Sequence, residues 1–276
     1  MKSKILILGK GFIGQRLQET LDCKVSQKMI FSLKDAQREI KKYNPNILIN
    51  CIGYTGKNNV DGCELNKDTT LTANTFIPII LAEVALRNKI KLVHISSGCI
   101  YDFNYFKDKP IKEEKIPLYF DLFYSRSKIY SEMSLGALSR KFNILIPRIR
   151  IPLDNRAHPK NILSKLISYK KVIDIPNSVT YIPDFIKALK YLLKIDARGI
   201  YNIVNKGGLR YPKLLDAYKK YVSNFSYTII DYKKLNLERT NLILSTKKLE
   251  DSGFKMRRIE DIFEECVRGY LNLSKQ

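Results

Sequence analysis

Ile5-Leu6-Ile7-Leu8-Gly9-Lys10-Gly11-Phe12-Ile13-Gly14 is the stretch on which the fold turns. Four apolar residues in a row read as a strand buried on both faces, as in a parallel sheet. The apolar spacing from Phe12 through Leu17 begins an amphipathic helix. A glycine-rich turn between a first strand and a helix is where a dinucleotide pyrophosphate sits. Glycines let the backbone come close, and helix N–H groups favour negative charge. Gly9, Gly11 and Gly14 are therefore candidate cofactor residues.

Outward from this turn the pattern repeats. A second strand is expected at Cys23–Ser26, a helix over 33–43, a strand over 46–53 and a helix over 69–87 containing Asn74. Another strand follows over 90–95. This alternation predicts an α/β fold, a Rossmann-type doubly wound parallel sheet. In such folds an acid at the end of the second strand usually binds the ribose of NAD. Here the chain reads Ser26-Gln27-Lys28, and Lys28 suits a 2′-phosphate, so NADPH is the expected cofactor.

The strand over 90–95 leaves through Ser96-Ser97-Gly98-Cys99, small polar residues where α/β sheets bind ligands. A helix over 123–140 presents Tyr124 and Lys128, four apart, on one face. The strand over 144–151 points Arg148 and Arg150 to the same side. Beyond it we expect a helix near 159–169, a strand near 171–175 and a helix near 182–193. A strand near 199–204 and helices near 211–221 and 259–271 close the chain. Residues 1–152 form the nucleotide-binding domain, with contributions from about 176–205. Residues 153–276 form a smaller, interleaved domain for substrate.

The chain of 276 residues carries a net charge of +22, but its basic residues are spread along its length with no tail or nucleic-acid module. We read this as solvated lysine, not a nucleic-acid surface. No apolar run has the length to cross a bilayer, and the four-residue run at the N-terminus is too short for a signal peptide. A cytoplasmic location is expected. Five cysteines with no Cys-x-x-Cys pair argue against a disulfide framework or a metal site. His94 reads as a satisfied core residue, and His158 as a weaker candidate for substrate contact.

The glycine turn, the Ser96-Ser97 exit and Tyr124-x-x-x-Lys128 together resemble the extended short-chain dehydrogenase/reductases. Asn59-Val60-Asp61-Gly62-Cys63-Glu64, Gly98-Cys99-Ile100-Tyr101, Arg148-Ile149-Arg150-Ile151-Pro152, Asn161-Ile162 and Ile175-Pro176-Asn177-Ser178 are similar to the dTDP-4-dehydrorhamnose reductase branch. They are nearest to its bifunctional rhamnose synthases, the epimerase-reductases. Two departures stand out. The first turn is one residue shorter than usual in that branch, and Gly62 replaces a bulky residue.

The resemblance implies NADPH-dependent reduction of a nucleotide-linked 4-keto-6-deoxyhexose, with 3- or 5-epimerisation. It implies Tyr124 as proton donor, Lys128 as its cationic neighbour and ribose ligand, and Ser97 on the ketone oxygen, with Ser96 in reserve. It places the epimerase pair on Cys99 and Lys165. Phe12, Ile13, Cys51, Ile52, Gly53 and Asn74 join the cofactor contacts. Arg150, Asn161, Asn177 and Ser178 join Ser96, Ser97 and Cys99 as substrate contacts, with Asn205 and Lys206 as weaker ones. An upstream 4,6-dehydratase would supply the substrate, and a homodimer is compatible with the pattern. A reductase without epimerase activity, and a non-catalytic NADP-binding or RNA-associated protein, are the other readings.

Overall fold

The computed structural model describes residues 4–57, 59–234 and 240–273; Asn58 of the glycine-rich loop lies outside them. The chain divides into two compact units: 1–100 with 116–148 and 192–201, and 101–115 with 149–191 and 202–276.

The first unit opens with β1 (Ile5–Leu8), α1 (Phe12–Gln18), β2 (Cys23–Ser26), α2 (Leu33–Tyr43) and β3 (Ile47–Asn50). Ser32 starts α2 by accepting the Asp35 N–H, and Asn44 ends it in the left-handed region, with φ 43°. Then come α3 (Gly62–Leu65), α4 (Lys67–Leu71), a π-helical turn Thr72–Phe76 and α5 (Ile77–Arg87). β4 (Lys91–His94), β5 (Ser96–Ser97), α6 (Phe123–Ser139) and β6 (Ile144–Ile149) follow.

The sheet runs β2-β1-β3-β4-β6 and ends on β10 (Gly199–Asn202), with β5 paired to β6. β1 is flanked by β2 and β3, both parallel to it. The strand order therefore reverses at β1, and such a switch point opens a crevice beyond the strand ends. Gly9 leaves β1 there, and Cys51 leaves β3. Leu6, Leu48, Leu81, Val84, Leu92, Leu135 and Ile146 fill one side of the sheet.

Lys91 pins the start of β4. Its buried ammonium donates to Asn143 Oδ1 (2.7 Å), Asp196 Oδ1 (2.8 Å) and the Ala197 carbonyl (2.8 Å). All three of its donors are thus used.

The segment Lys67–Arg87 corrects one sequence expectation. It is 21 residues long and apolar enough, by length and composition, to cross a bilayer. Half of its apolar window is buried inside the protein, through residues such as Ile77, Leu81, Ala82 and Ala85, so core packing accounts for its composition.

The second unit has two short parallel ladders. β7 (Pro152–Leu153) pairs with β9 (Thr180–Tyr181), and β8 (Lys171–Ile173) with β11 (Thr228–Ile230). Its helices are α7 (Ile162–Leu166), α9 (Tyr211–Lys219), α10 (Lys247–Asp251) and α11 (Phe263–Tyr270), with α8 (Ile182–Lys194) running on into residues of the first unit. Leu153, Leu163, Leu214, Leu215, Phe263 and Val267 form its core.

The expected domain limits shift accordingly. The first unit ends at 148, not 152, and the segment returning to it is 192–201, not 176–205. The cause is local pairing: Arg150 O accepts the Thr180 N–H, and Asn177 and Ser178 bond to Leu209 and Leu242. The helix expected near 159–169 shortens to α7. Strands β5, β7, β9 and β11 and helix α10 were not anticipated.

Candidate active site

The glycine turn is closed on one side and open on the other. Gly9 has φ +94°, and a Cβ there would lie 2.8 Å from Ile52 N. A Cβ on Gly14 would lie 2.0 Å from Gly9 O, whereas one on Gly11 would meet nothing within 4 Å. Gly9 N donates to Ser26 O (3.3 Å), and Ser26 Oγ accepts the Lys28 N–H (3.1 Å). The structure therefore brings Gly9, Gly14, Cys51, Ile52 and the end of β2 together, with Gly11 and Lys28 exposed. This arrangement fits a dinucleotide pyrophosphate over Gly11 and a charged ribose near Lys28. Phe12 is buried in the first turn of α1, and Ile13 half-buried beside it.

Asn50 shapes the exit of β3. Its Oδ1 accepts the Ile52 N–H (3.0 Å), so its amide nitrogen faces His94 Nδ1 at 3.1 Å. Nδ1 must then accept, which leaves the proton on Nε2. Burial, aided by the Lys128 charge, holds His94 well below the usual imidazole range, so it is neutral. Its Nε2 has no partner among the described residues, so His94 is only half satisfied.

Asn74, an expected cofactor contact, is engaged as a clamp. It is fully buried; its Oδ1 accepts Tyr54 N (2.8 Å) and its Nδ2 donates to Tyr54 O (2.9 Å) and Ser127 Oγ (3.0 Å). That uses both amide hydrogens and ties the loop after Gly53 to α6. A Cβ on Gly53 would lie 3.5 Å from Lys128 Nζ, so Gly53 and the lysine line the same place.

Helix α6 holds the exit of β4 at three points. Ser125 Oγ donates to Cys99 O (2.5 Å), Lys128 Nζ to Ile95 O (3.4 Å), and Glu132 accepts from Ser96 Oγ (2.6 Å). Tyr124 is buried in the first turn of the helix, and Ser97 Oγ accepts the Cys99 N–H (3.1 Å). Glu64 accepts the N–H of Phe123, the first residue of α6, at 2.6 Å. A carboxylate there suits the helix dipole. Sequence reading had no signal for this role, because the pair is 59 residues apart.

Burial pulls the Lys128 ammonium down to about 8, against the pull of Glu132, Cys51 and Cys63 toward charge. Burial also pushes the neighbouring Cys51 thiol up to about 12, so it stays protonated. Ser96 does not serve as a second ketone-binding hydroxyl, because it is buried and spent on Glu132. Arg148 grips that same carboxylate, Nη2 to Oε1 at 2.7 Å.

In the second unit several expected substrate contacts hold the chain together. Asn161 caps α7: its Oδ1 accepts Leu163 N (3.1 Å) and Asp154 N (3.1 Å), and its Nδ2 donates to Asp154 O and Arg156 O. Arg150 donates to Asn177 Oδ1 (2.8 Å) and Thr240 Oγ1 (3.1 Å) while 2% exposed. Ser178 Oγ accepts Leu244 N (2.9 Å) at zero exposure. Asn205 bonds Tyr181 N and Asp184, and Lys206 pairs with Glu250. Lys165 sits half-buried in the last turn of α7. His158, also half-buried, accepts the Lys160 N–H on Nδ1.

The sequence profile of the RmlD substrate binding domain matches residues 3–173. The chain belongs to the RmlD family. A trifunctional UDP-glucose 4,6-dehydratase/UDP-4-keto-6-deoxy-D-glucose 3,5-epimerase/UDP-4-keto-L-rhamnose-reductase of Arabidopsis thaliana is 30% identical over 246 residues, 83% of this chain and 36% of that protein. A bifunctional dTDP-4-dehydrorhamnose 3,5-epimerase/dTDP-4-dehydrorhamnose reductase of the same plant is 31% identical over 191 residues, 67% of this chain and 62% of that one. This RmlD-family chain thus spans little more than a third of the trifunctional relative. Among solved structures, the UDP-rhamnose synthase of Acanthamoeba polyphaga mimivirus superposes with TM-score 0.89 at 23% identity, covering 97% of this chain and 99% of that one. The dTDP-4-dehydrorhamnose reductase of Bacillus anthracis in complex with NADP gives 0.82 at 21%, over 96% and 97%. These two likenesses establish the RmlD-type fold.

Proposed function

We propose that this chain reduces the C4 ketone of a nucleotide-linked 4-keto-6-deoxyhexose with NADPH, and that it also epimerises C3, C5 or both. The observation that carries the reading is the fastening of α6, the helix of Tyr124 and Lys128, to the exit of β4 through Ser125 and Lys128, with the lysine against Gly53 after β3. The names of the plant relatives support the substrate class and both steps.

Gly9, Gly11, Gly14 and Lys28 would hold NADPH, which would supply the hydride for the carbonyl carbon. Ser97 holds the ketone oxygen, stabilising the negative charge that develops there. Tyr124 gives that oxygen its proton. Lys128, as an ammonium, stabilises the phenolate left behind and binds the nicotinamide ribose. Because the ketone acidifies the adjoining C–H bonds, inversion needs an acid and a base; Cys99, two residues beyond Ser97, serves as one, and the resemblance assigns the other to Lys165. A 4,6-dehydratase is the class of enzyme that makes such a ketone.

The decisive experiment is incubation with NADPH and UDP- or dTDP-4-keto-6-deoxyglucose in deuterated water, read by NMR of the product. A reduced C4 with deuterium at C3 or C5 is expected. No NADPH consumption with either sugar would sink the proposal, and reduction without deuterium would leave a reductase alone. Cys99→Ser is expected to cut deuterium incorporation by roughly tenfold or more while reduction stays within about twofold.

The pH profile follows from Lys128. Its ammonium is present below about 8 and lost above it. kcat/KM for NADPH, which reports the cofactor-free enzyme, is therefore expected to fall as pH rises through about 8. Lys128→Arg should remove that falling limb, because a guanidinium stays charged.

A further inference from the structure

Beneath the lysine lies a buried polar cluster that the proposed reaction does not use. Glu132 is one helical turn beyond Lys128 on α6 and 1% exposed. Arg148, on β6, is also 1% exposed and grips it through Nε (3.0 Å to Oε1, 3.1 Å to Oε2) and Nη2 (2.7 Å to Oε1). Ser96 adds a hydrogen bond to Oε2 at 2.6 Å. Among the described residues the ion pair of Glu132 is with Arg148, not with Lys128.

We infer that Glu132 and Arg148 are positioning residues for Lys128: the carboxylate holds the amine as an ammonium, and the guanidinium keeps the amine from swinging away to the carboxylate. An isolated buried carboxylate would draw a lysine four residues away on the same helix. Here both oxygens are occupied by Arg148 and Ser96, so Lys128 stays aimed at the Ile95 carbonyl and the Gly53 wall. The negative charge still acts on it through a low-dielectric interior. The other ionisable groups that interact with Lys128 are Cys51 at the end of β3, Cys63 on α3 and His94 on β4. Burial keeps the Cys51 thiol protonated and the His94 imidazole neutral, and the Glu132 carboxylate is the leading charge that holds the amine as an ammonium.

The inference rests on the proposed function for its meaning, since Lys128 matters as a catalytic charge. Its test needs neither substrate nor cofactor. Lysine labelled with carbon-13 at Cε reports the charge of each amine by NMR, and Lys128 is assigned by the signal lost in Lys128→Arg. In Glu132→Gln the Lys128 midpoint is expected about one pH unit below that of the parent, and in Arg148→Met above it, with folding checked by thermal melting. A purely structural cluster would leave the midpoint unmoved in any variant that folds. Breaking a buried pair can unfold a protein, whereas replacing both partners with apolar residues is often tolerated. Glu132→Met with Arg148→Leu therefore decides if a single variant fails. Glu132 is on the lysine's own helix and Arg148 lies beyond it, so the double variant should titrate below the parent. A midpoint at or above the parent there, or movement in the same direction in both single variants, overturns the inference. Inactivity toward every keto sugar with these midpoints moving as stated would overturn the proposed reaction and leave the cluster's role standing.

Discussion

Tyr124→Phe is expected to lower kcat for ketone reduction by about a thousandfold while NADPH binds within about threefold of the parent. The tyrosine is 7% exposed, so its ring is packed and a phenylalanine fills the same space. The substitution removes one oxygen and no apolar contact. Helix α6 is fixed by Ser125, Lys128, Glu132 and the Glu64 cap, none of which involves the Tyr124 hydroxyl. What disappears is the proton for the developing alkoxide, and positioned general acids contribute roughly 10² to 10⁴ in rate. Single-turnover oxidation of NADPH separates this from binding. A kcat within tenfold of the parent would mean that another group delivers the proton.

Gly14→Ala should be as severe, but through the fold of the turn. The added methyl group would sit 2.0 Å from Gly9 O, a backbone atom. Gly9 cannot yield, because it is in the left-handed region and itself packs on Ile52. Overpacking of this kind costs about 3 kcal/mol, and NADPH affinity is expected to fall by at least about a hundredfold as α1 is pushed off β1. Gly11→Ala is the matched control. Its φ of −79° is ordinary and nothing lies within 4 Å, so stability should stay within about 0.5 kcal/mol. NADPH titration and thermal melting of both variants check this. Lost affinity with kept stability in Gly11→Ala would place the dinucleotide directly against that residue.

The sheet was legible because strands buried on both faces are forced to be mainly apolar: β1 is so throughout, and β3 and β4 are so except at their ends, Asn50, Lys91 and His94. The residues of the first unit were legible for a related reason. Ser97 and Cys99 lie where a strand ends, and Tyr124 and Lys128 share a helix face, so local pattern places them. Buried polar roles were not legible. A serine reads the same whether it meets a ketone or, like Ser96, a carboxylate 36 residues away. Arg150, Asn177 and Ser178 are claimed by chain 27 to 90 residues distant, and no local pattern reveals that. Asn161 is different. An asparagine just before an apolar helical run is a cap signal, and it was there to be read.

The grip of Lys91 on Asp196 and Ala197 has a consequence for biosynthesis. While the ribosome has delivered only the first 148 residues, every strand of the sheet is present except β10 and the last residue of β6, as are Ser97, Tyr124 and Lys128. The nascent sheet still cannot close around Lys91, whose charge has two of its three acceptors downstream, more than a hundred residues away. The whole of the 149–191 segment must be translated before they arrive. The nucleotide-binding unit is therefore expected to mature after synthesis has passed residue 197, and ribosome-stalled chains of increasing length should become protease-resistant there and not at 148.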